Sequence, residues 1–265
     1  MGFVFWTSRL AGRSVCRSAR MAGYAAAMLM LAAASGAVEK PPEMGEPGLR
    51  DARTPDSVPN ISGVWQNRGY ERQIKPVEGG DPPWQPWNKQ AFDDRAAAEK
   101  LGKPLYDPTA DCRPSGTPRI IAAPYPVEII QTADQTVFLY EAQHLFRVVY
   151  MNARHPDKVE PGFFGHAVGR WEGDTLVVDT VGLVKETQID EAGTMHSGQL
   201  HVIERIRKVN DTLEILFTME DAEAFTAPWT ARRTWHWRPD IRLLEYVCEE
   251  NNRNAPDETG VLRNF

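Results

Sequence analysis

The sequence predicts an all-β domain: an antiparallel calycin-like barrel, or alternatively a two-sheet β-sandwich, with one peripheral helix. Two observations carry this. From residue 127 onward, short runs rich in Val, Ile, Phe, Tyr and Thr follow one another closely, as strands do. Tight turns such as Glu172-Gly173-Asp174 and Asn210-Asp211 separate several of them, and such residues join hairpins. Nine or ten runs at hairpin spacing indicate a barrel or sandwich rather than an α/β sheet.

The elements follow in order. Residues 61–65 read as a first strand, and Pro82 to Trp87 form an irregular aromatic segment. Residues 88–101 mix Ala, Lys, Glu and Asp with few breakers and predict the one helix. Residues 104–118 are loop, dense in Pro, Asp and Gly. Strands are then expected over 127–132, 136–142, 144–152, 167–171, 175–181, 200–209, 212–219, 233–237 and 243–248. In 212–219, Leu213, Ile215, Phe217 and Met219 share one face, the alternation of a half-buried strand. The run 200–209 is mixed: Leu200, Val202, Glu204 and Ile206 lie on one face, and His201, Ile203, Arg205 and Arg207 on the other. Polar groups among apolar ones suit a barrel lumen whose side chains meet a ligand or each other.

The beginning of the chain predicts export. Arg9, Arg13, Arg17 and Arg20 precede an apolar run from Met21 to Ala34, and Ser35-Gly36-Ala37 offers a small-residue cleavage site. This is the pattern of a secretory signal peptide over 1–37, with periplasmic or secreted release and no stable membrane insertion afterwards. Residues 38–60 form a polar, proline-rich lead-in, and 61–265 form a single barrel domain. Removing 1–37 takes away four arginines and no acid, so the formal charge moves from −6 to −10. Such a chain repels phosphate backbones, which argues against nucleic acid as a partner. Cys112 and Cys248 remain; in an oxidising compartment they are candidates for one disulfide, with two separate buried thiols as the alternative.

Two resemblances add to this. Gly63-Val64-Trp65 resembles the Gly-x-Trp opening of lipocalin or calycin barrels. That likeness implies a tryptophan plugging one barrel end, with an arginine from a late strand, Arg233 or Arg205, packed across it. A long loop and a helix follow the first strand here, which departs from the usual calycin spacing. Across most of the mature chain, Cys112-Arg113-Pro114 with Gly116 to Arg119, the run from Gly169 to Thr180, His196-Ser197 with Leu200-His201 and Glu204-Arg205, and Cys248-Glu249 with Asn251 are similar to a family of exported bacterial proteins. That resemblance implies export and a single β-rich domain, and it brings no activity with it.

The candidate chemistry lies near Leu200. His196, His201, Glu204, Arg205 and Asp179 are the candidate catalytic residues, because His and a partly buried Glu can exchange protons near neutral pH. On a regular strand His201 and Glu204 point to opposite faces, so His196 from the preceding loop would join one or the other. Asp179 interrupts an apolar strand and needs a partner, with a salt bridge to Arg170 or Arg205 as the bland account. Arg170, Trp171, Trp229 and Trp235 are candidate substrate contacts, since tryptophans line sites for cyclic ligands as well as cores. No His-x-His or His-Glu-x-x-His spacing points to a metal, and no glycine-rich phosphate loop points to a nucleotide cofactor. The expectation is therefore a cofactor-independent isomerase, lyase or hydrolase acting on a small apolar, cyclic or aromatic molecule in a barrel pocket. A periplasmic binding protein for such a molecule is the alternative.

Overall fold

The computed structural model describes residues 58–103 and 105–248. The expected signal peptide, nearly all of the lead-in and the residues after 248 lie outside that range. Nine strands close into one barrel in chain order: β1 (Gly63–Asn67), β2 (Pro126–Gln131), β3 (Gln135–Tyr140), β4 (Phe146–Met151), β5 (His166–Glu172), β6 (Thr175–Val181), β7 (His201–Val209), β8 (Thr212–Glu220) and β9 (Trp229–Trp237). Closure comes from β9 pairing back onto β1, with Trp65 opposite Trp237. This sets the sandwich alternative aside.

The strand count explains the one irregular pairing. Strands that simply alternate in direction cannot close a ring of odd number, so at least one neighbouring pair must be parallel. That pair is β4 and β5, with Val149 opposite Ala167. A parallel pair needs a long return connection, and residues 152–165 supply it by passing along the outside of the wall. The return is pressed tightly against the end of β6. Gly182 sits there at φ +72°, and a Cβ on it would lie 2.3 Å from the Val159 side chain.

Side chains of one parity from every strand fill the lumen. Trp65, Ile129, Phe138, Val149, Ala167, Leu176, Ile206, Phe217 and Trp235 are all buried in one apolar cluster. The hollow centre expected to receive a ligand is therefore a packed core, as in other small barrels. Trp65 packs edge-on against Trp237 with ring centroids 4.9 Å apart. The cation over both rings is Lys208, 5.7 Å from each centroid. It is not Arg205, which pairs with Glu172 on the outside, nor Arg233, which is buried on the inward parity of β9, opposite Ile215.

Loop lengths divide the two ends of the barrel. Turns at 132–134, 173–174 and 210–211 close one end, while the connections 68–125, 141–145, 182–200 and 221–228 crowd the other. Helix α1 (Pro86–Lys100) lies in the first of these. It begins two residues before the expected start, because Pro86 brings a preset φ to the first helical turn. Asn88 ties it down by donating to the Met195 carbonyl at 2.9 Å and accepting from the Met195 amide at 3.1 Å. Trp84 stacks on Phe92 at 4.7 Å. Among the described residues the only other α-helix is the single turn α2 (Arg119–Ala122).

Two strand expectations need correction. The ninth strand begins at Trp229 rather than at residue 233. Residues 243–248 form no strand, because the β9–β1 pairing has already closed the ring. This segment is held by isolated contacts instead. The Leu244 amide donates to Glu141, and the Tyr246 amide to His144. Cys248 is bonded to Cys112, with a Cα–Cα separation of 5.6 Å, within the range a disulfide spans.

Candidate functional site

The structure distributes the candidate residues over three places. The first is the barrel interior. Glu204 faces inward from β7 and meets Arg147 of β4, whose guanidinium donates at 3.0 Å and 2.5 Å to its two oxygens and at 2.7 Å to the Thr180 hydroxyl. Arg147 also lies against the Phe138 ring. Burial opposes its charge, but the adjacent Glu204 more than compensates and raises its pKa. Burial likewise raises the Tyr140 phenol above the ordinary tyrosine range. This is an ion pair enclosed in the core, out of reach of any substrate.

The second place is the loop before β7. His196 is buried; its Nδ1–H donates to the Ser197 carbonyl at 2.7 Å, and Nε2 lies 2.7 Å from the Thr187 hydroxyl. Desolvation lowers its pKa, so the neutral ring is favoured. Ser197 spends its amide and hydroxyl on Asp221, at 2.6 Å and 2.8 Å. Nearby, Asp190 accepts from the amides of Ile74, Gly193 and Thr194 and from the Thr194 hydroxyl. These groups are fully committed to holding the loop.

The third place is the outer wall, where chemistry-bearing side chains do converge. Asp179 of β6 projects outward, and its Oδ1 lies 3.0 Å from His201 Nε2 and 3.0 Å from His155 Nε2. His201 Nδ1 is 3.1 Å from Glu220 on β8, its direct cross-strand neighbour. His155 Nδ1 is 2.9 Å from His166 Nδ1 on β5, and the His166 ring stacks on Tyr150 of β4 at 5.3 Å. The result is one hydrogen-bonded chain, Glu220–His201–Asp179–His155–His166, across four adjacent strands and the return connection. Strand parity explains it. His166, Asp179, His201 and Glu220 all point outward, while Ala167, Val178, Thr180 and Val202 between them are buried. His155 is brought over the wall because residues 152–165 must run there to make β5 parallel to β4.

Burial and the neighbouring His155 hold the His166 imidazole below the ordinary histidine value. The shift favours the neutral form of the His166 ring. When the proton between the two Nδ1 atoms rests on His166, its Nε2 carries a lone pair. His155 can then donate from Nε2 to Asp179, which fixes the pair of rings in one orientation. Tyr150, exposed on the outer face of β4, places aromatic surface against His166. Among the described residues, no group of three or more His, Cys, Asp or Glu side chains is arranged to hold a metal ion.

Of the sequence candidates, then, His201 and Asp179 are brought together, and His196, Glu204 and Arg205 lie apart from them. Arg205 and Arg170 both clasp Glu172, at 2.9 Å and 2.7 Å, on the exposed wall; neither partners Asp179. Trp171 packs partly buried against the core, Trp229 is buried against Phe225, and Trp235 donates from inside the barrel to the Ile121 carbonyl at 3.0 Å. None of the three lines the histidine chain. His155, His166 and Glu220 were not singled out by the sequence, although the even spacing of Glu220 from Thr218 and His166 from Val168 puts them on outward positions. A hollow of about 510 Å³ at the long-loop end is lined by Tyr70, Arg72, Asp107, Arg119, Tyr125 and Tyr246 among others, and contains no member of the chain. Its Arg119–Asp107 pair is bidentate, at 2.9 Å and 2.7 Å, and those bonds hold the carboxyl below its ordinary pKa despite the burial that raises it.

Fold and site together define a closed, all-β barrel protein with a histidine–carboxylate chain on its outer wall. No family model matches the sequence, and no curated protein matches it.

Proposed function

We propose that the protein is a cofactor-independent acid–base enzyme acting on a small cyclic or aromatic molecule, with His166 as the proton acceptor. The single observation that supports this is the chain of three imidazoles and two carboxylates on one outer wall. A barrel needs no such chain to fold; isolated polar residues would serve its surface equally well. His166 Nε2 takes the proton, His155 shares the resulting positive charge through the Nδ1 contact, and Asp179 stabilises it. His155, Asp179, His201 and Glu220 are positioning residues. Lumen chemistry through Glu204 is set aside, because Arg147 occupies it. The reading includes export, which the Cys112–Cys248 bond supports, since disulfides persist in oxidising compartments. The tyrosine-lined hollow favours the second reading, a small-molecule binding protein.

The test uses 5-nitrobenzisoxazole, a cyclic aromatic probe whose ring opens when a base removes its one acidic C–H proton. The electron pair forms the nitrile and breaks the N–O bond, so no cofactor is needed. The intact protein should open it faster than free imidazole at equal concentration. His166→Ala should lose about tenfold or more, within the range of general-base contributions. The rate should rise with pH and reach half its plateau below the ordinary histidine value of 6.5, because the His166 pKa is lowered. A rate no better than imidazole, or one that His166→Ala leaves intact in a folded protein, refutes the catalytic reading and leaves the binding one.

A further inference from the structure

At the β1–β9 closure of the ring the two strands pair over only part of β9. The β1–β9 ladder ends at the Asn67–Trp235 pair, and β9 continues past the end of β1 to Trp229. Beyond that point the backbone of β9 is met by the segment after β1, where the Val77 amide donates to the Thr230 carbonyl at 2.9 Å. Between these two contacts lies Arg233. Its side chain is only 9 % exposed, yet it has no carboxylate within hydrogen-bond distance.

The donor inventory of Arg233 is specific. Nη1 donates to the Arg232 carbonyl at 2.8 Å, which anchors the guanidinium. Nε and Nη2, both buried, have no hydrogen-bond partner. Those two nitrogens form one edge of the guanidinium, with parallel N–H bonds spaced to match the two oxygens of a carboxylate. Buried donors are almost always satisfied, and leaving two on one edge unsatisfied is costly. The nearest acid is Glu71, whose Oε2 stops 3.8 Å from Nη2 and whose side chain is mostly exposed. Arg233 also borders a hollow of about 630 Å³, lined by Lys75, Arg232, His236, Glu71 and Val77 among others. It is a basic patch on an acidic chain, with aliphatic surface from Pro76 and Val77 on one side.

We propose that Arg233, with Lys75 at the mouth, binds the carboxylate of a small organic acid, and that Glu71 is the side chain that must move aside to admit it. The site is separate from the histidine chain and does not depend on the function proposed for it. A carboxylate fits better than a phosphate because the unsatisfied edge is flat and offers two parallel donors. A tetrahedral dianion would need further donors, and the Asn67 amide nearby already donates to the Ala122 carbonyl. Burial lowers the pKa of Arg233, with Glu71 and Asp190 opposing the shift; an anion on the edge would relieve that cost.

The experiment is calorimetric titration of the purified protein with benzoate and with acetate, with inorganic phosphate as competitor. Arg233→Lys keeps the charge and removes the two-pronged edge; Glu71→Gln removes the competing carboxylate. The expected results are saturable benzoate binding, a loss of about tenfold or more in Arg233→Lys, tighter binding in Glu71→Gln, and no displacement by phosphate. Unchanged affinity in Arg233→Lys overturns the assignment, as does failure of both acids to saturate even Glu71→Gln. Displacement by equimolar phosphate overturns the choice of carboxylate. Should Arg233→Lys fail to fold, as judged by its melting curve, Glu71→Gln decides alone: affinity equal to or weaker than wild type refutes the site.

Discussion

Replacing Glu204 by Gln isolates what the enclosed ion pair does for the barrel. The change keeps the shape of the side chain but removes its charge, leaving the Arg147 guanidinium in the core with the Thr180 hydroxyl, the Tyr140 phenol and a neutral amide near it. Both side chains are almost wholly buried, at 1 % and 2 % exposure, so solvent screens little of the interaction. Breaking one partner of such a pair typically costs about 3–5 kcal/mol. For a domain of this size that lowers Tm by about 6–20 °C. Replacing both, as Arg147→Met with Glu204→Leu, removes the desolvation cost along with the attraction, and should cost far less than the two single changes summed. Urea unfolding followed by tryptophan fluorescence gives all three values, provided the m-value is constant across the set. A loss below about 1 kcal/mol in Glu204→Gln would refute the account of Arg147 as a charge that depends on Glu204.

Three further outcomes follow. Asp190→Ala strands the four donors now directed at that carboxylate, and should cost at least about 3 kcal/mol, read from the urea midpoint. Stability should fall on acidification from pH 7.5. His166 and His196 have native pKa values below 6.5, so the unfolded chain binds more protons than the native one once pH drops below 6.5. The associated stability is complete above 6.5 and is lost as pH falls from there through the native values. His196→Gln should shrink the difference between midpoints at pH 7.5 and 5.5, and an unchanged difference excludes His196 as a contributor. Removing the cross-link between Cys112 and Cys248, 136 residues apart, by Cys248→Ser should cost up to about 5 kcal/mol by the loop-entropy relation; full retention of the urea midpoint would show that the bond fastens only the 241–248 segment.

Much of the wall was legible in the sequence because hairpins are local. The turns at Gly173 and Asn210 carry residues that accept positive φ, at +62° and +52°, and the strands on either side took the expected bounds nearly to the residue. The mixed faces read in 200–209 are real: Val202, Glu204 and Ile206 point inward, His201 and Arg205 outward. What was hidden depends on parity set by distant partners. In Phe146-Arg147, residue type alone suggests the ring inside and the guanidinium outside. The structure reverses this, with Phe146 64 % exposed and Arg147 2 % exposed, because Arg147 shares the inward parity of Val149 and its counter-charge comes from β7. His155 was illegible for a related reason. It lies in a connection without regular structure, and its place over Asp179 follows only from the parallel β4–β5 pairing, which no local pattern announces.

The ring closure has a consequence for biosynthesis. The first strand of the ring is one of the last to be fully paired, since β1 needs β9, made some 170 residues later. Until then Trp65 has no Trp237 to rest on, and both lips of the curled sheet present open backbone, the kind of surface on which unrelated chains stack. A nascent or clipped polypeptide ending before Trp229 should accordingly be a client for holding chaperones, whereas one that reaches Trp237 can seal itself.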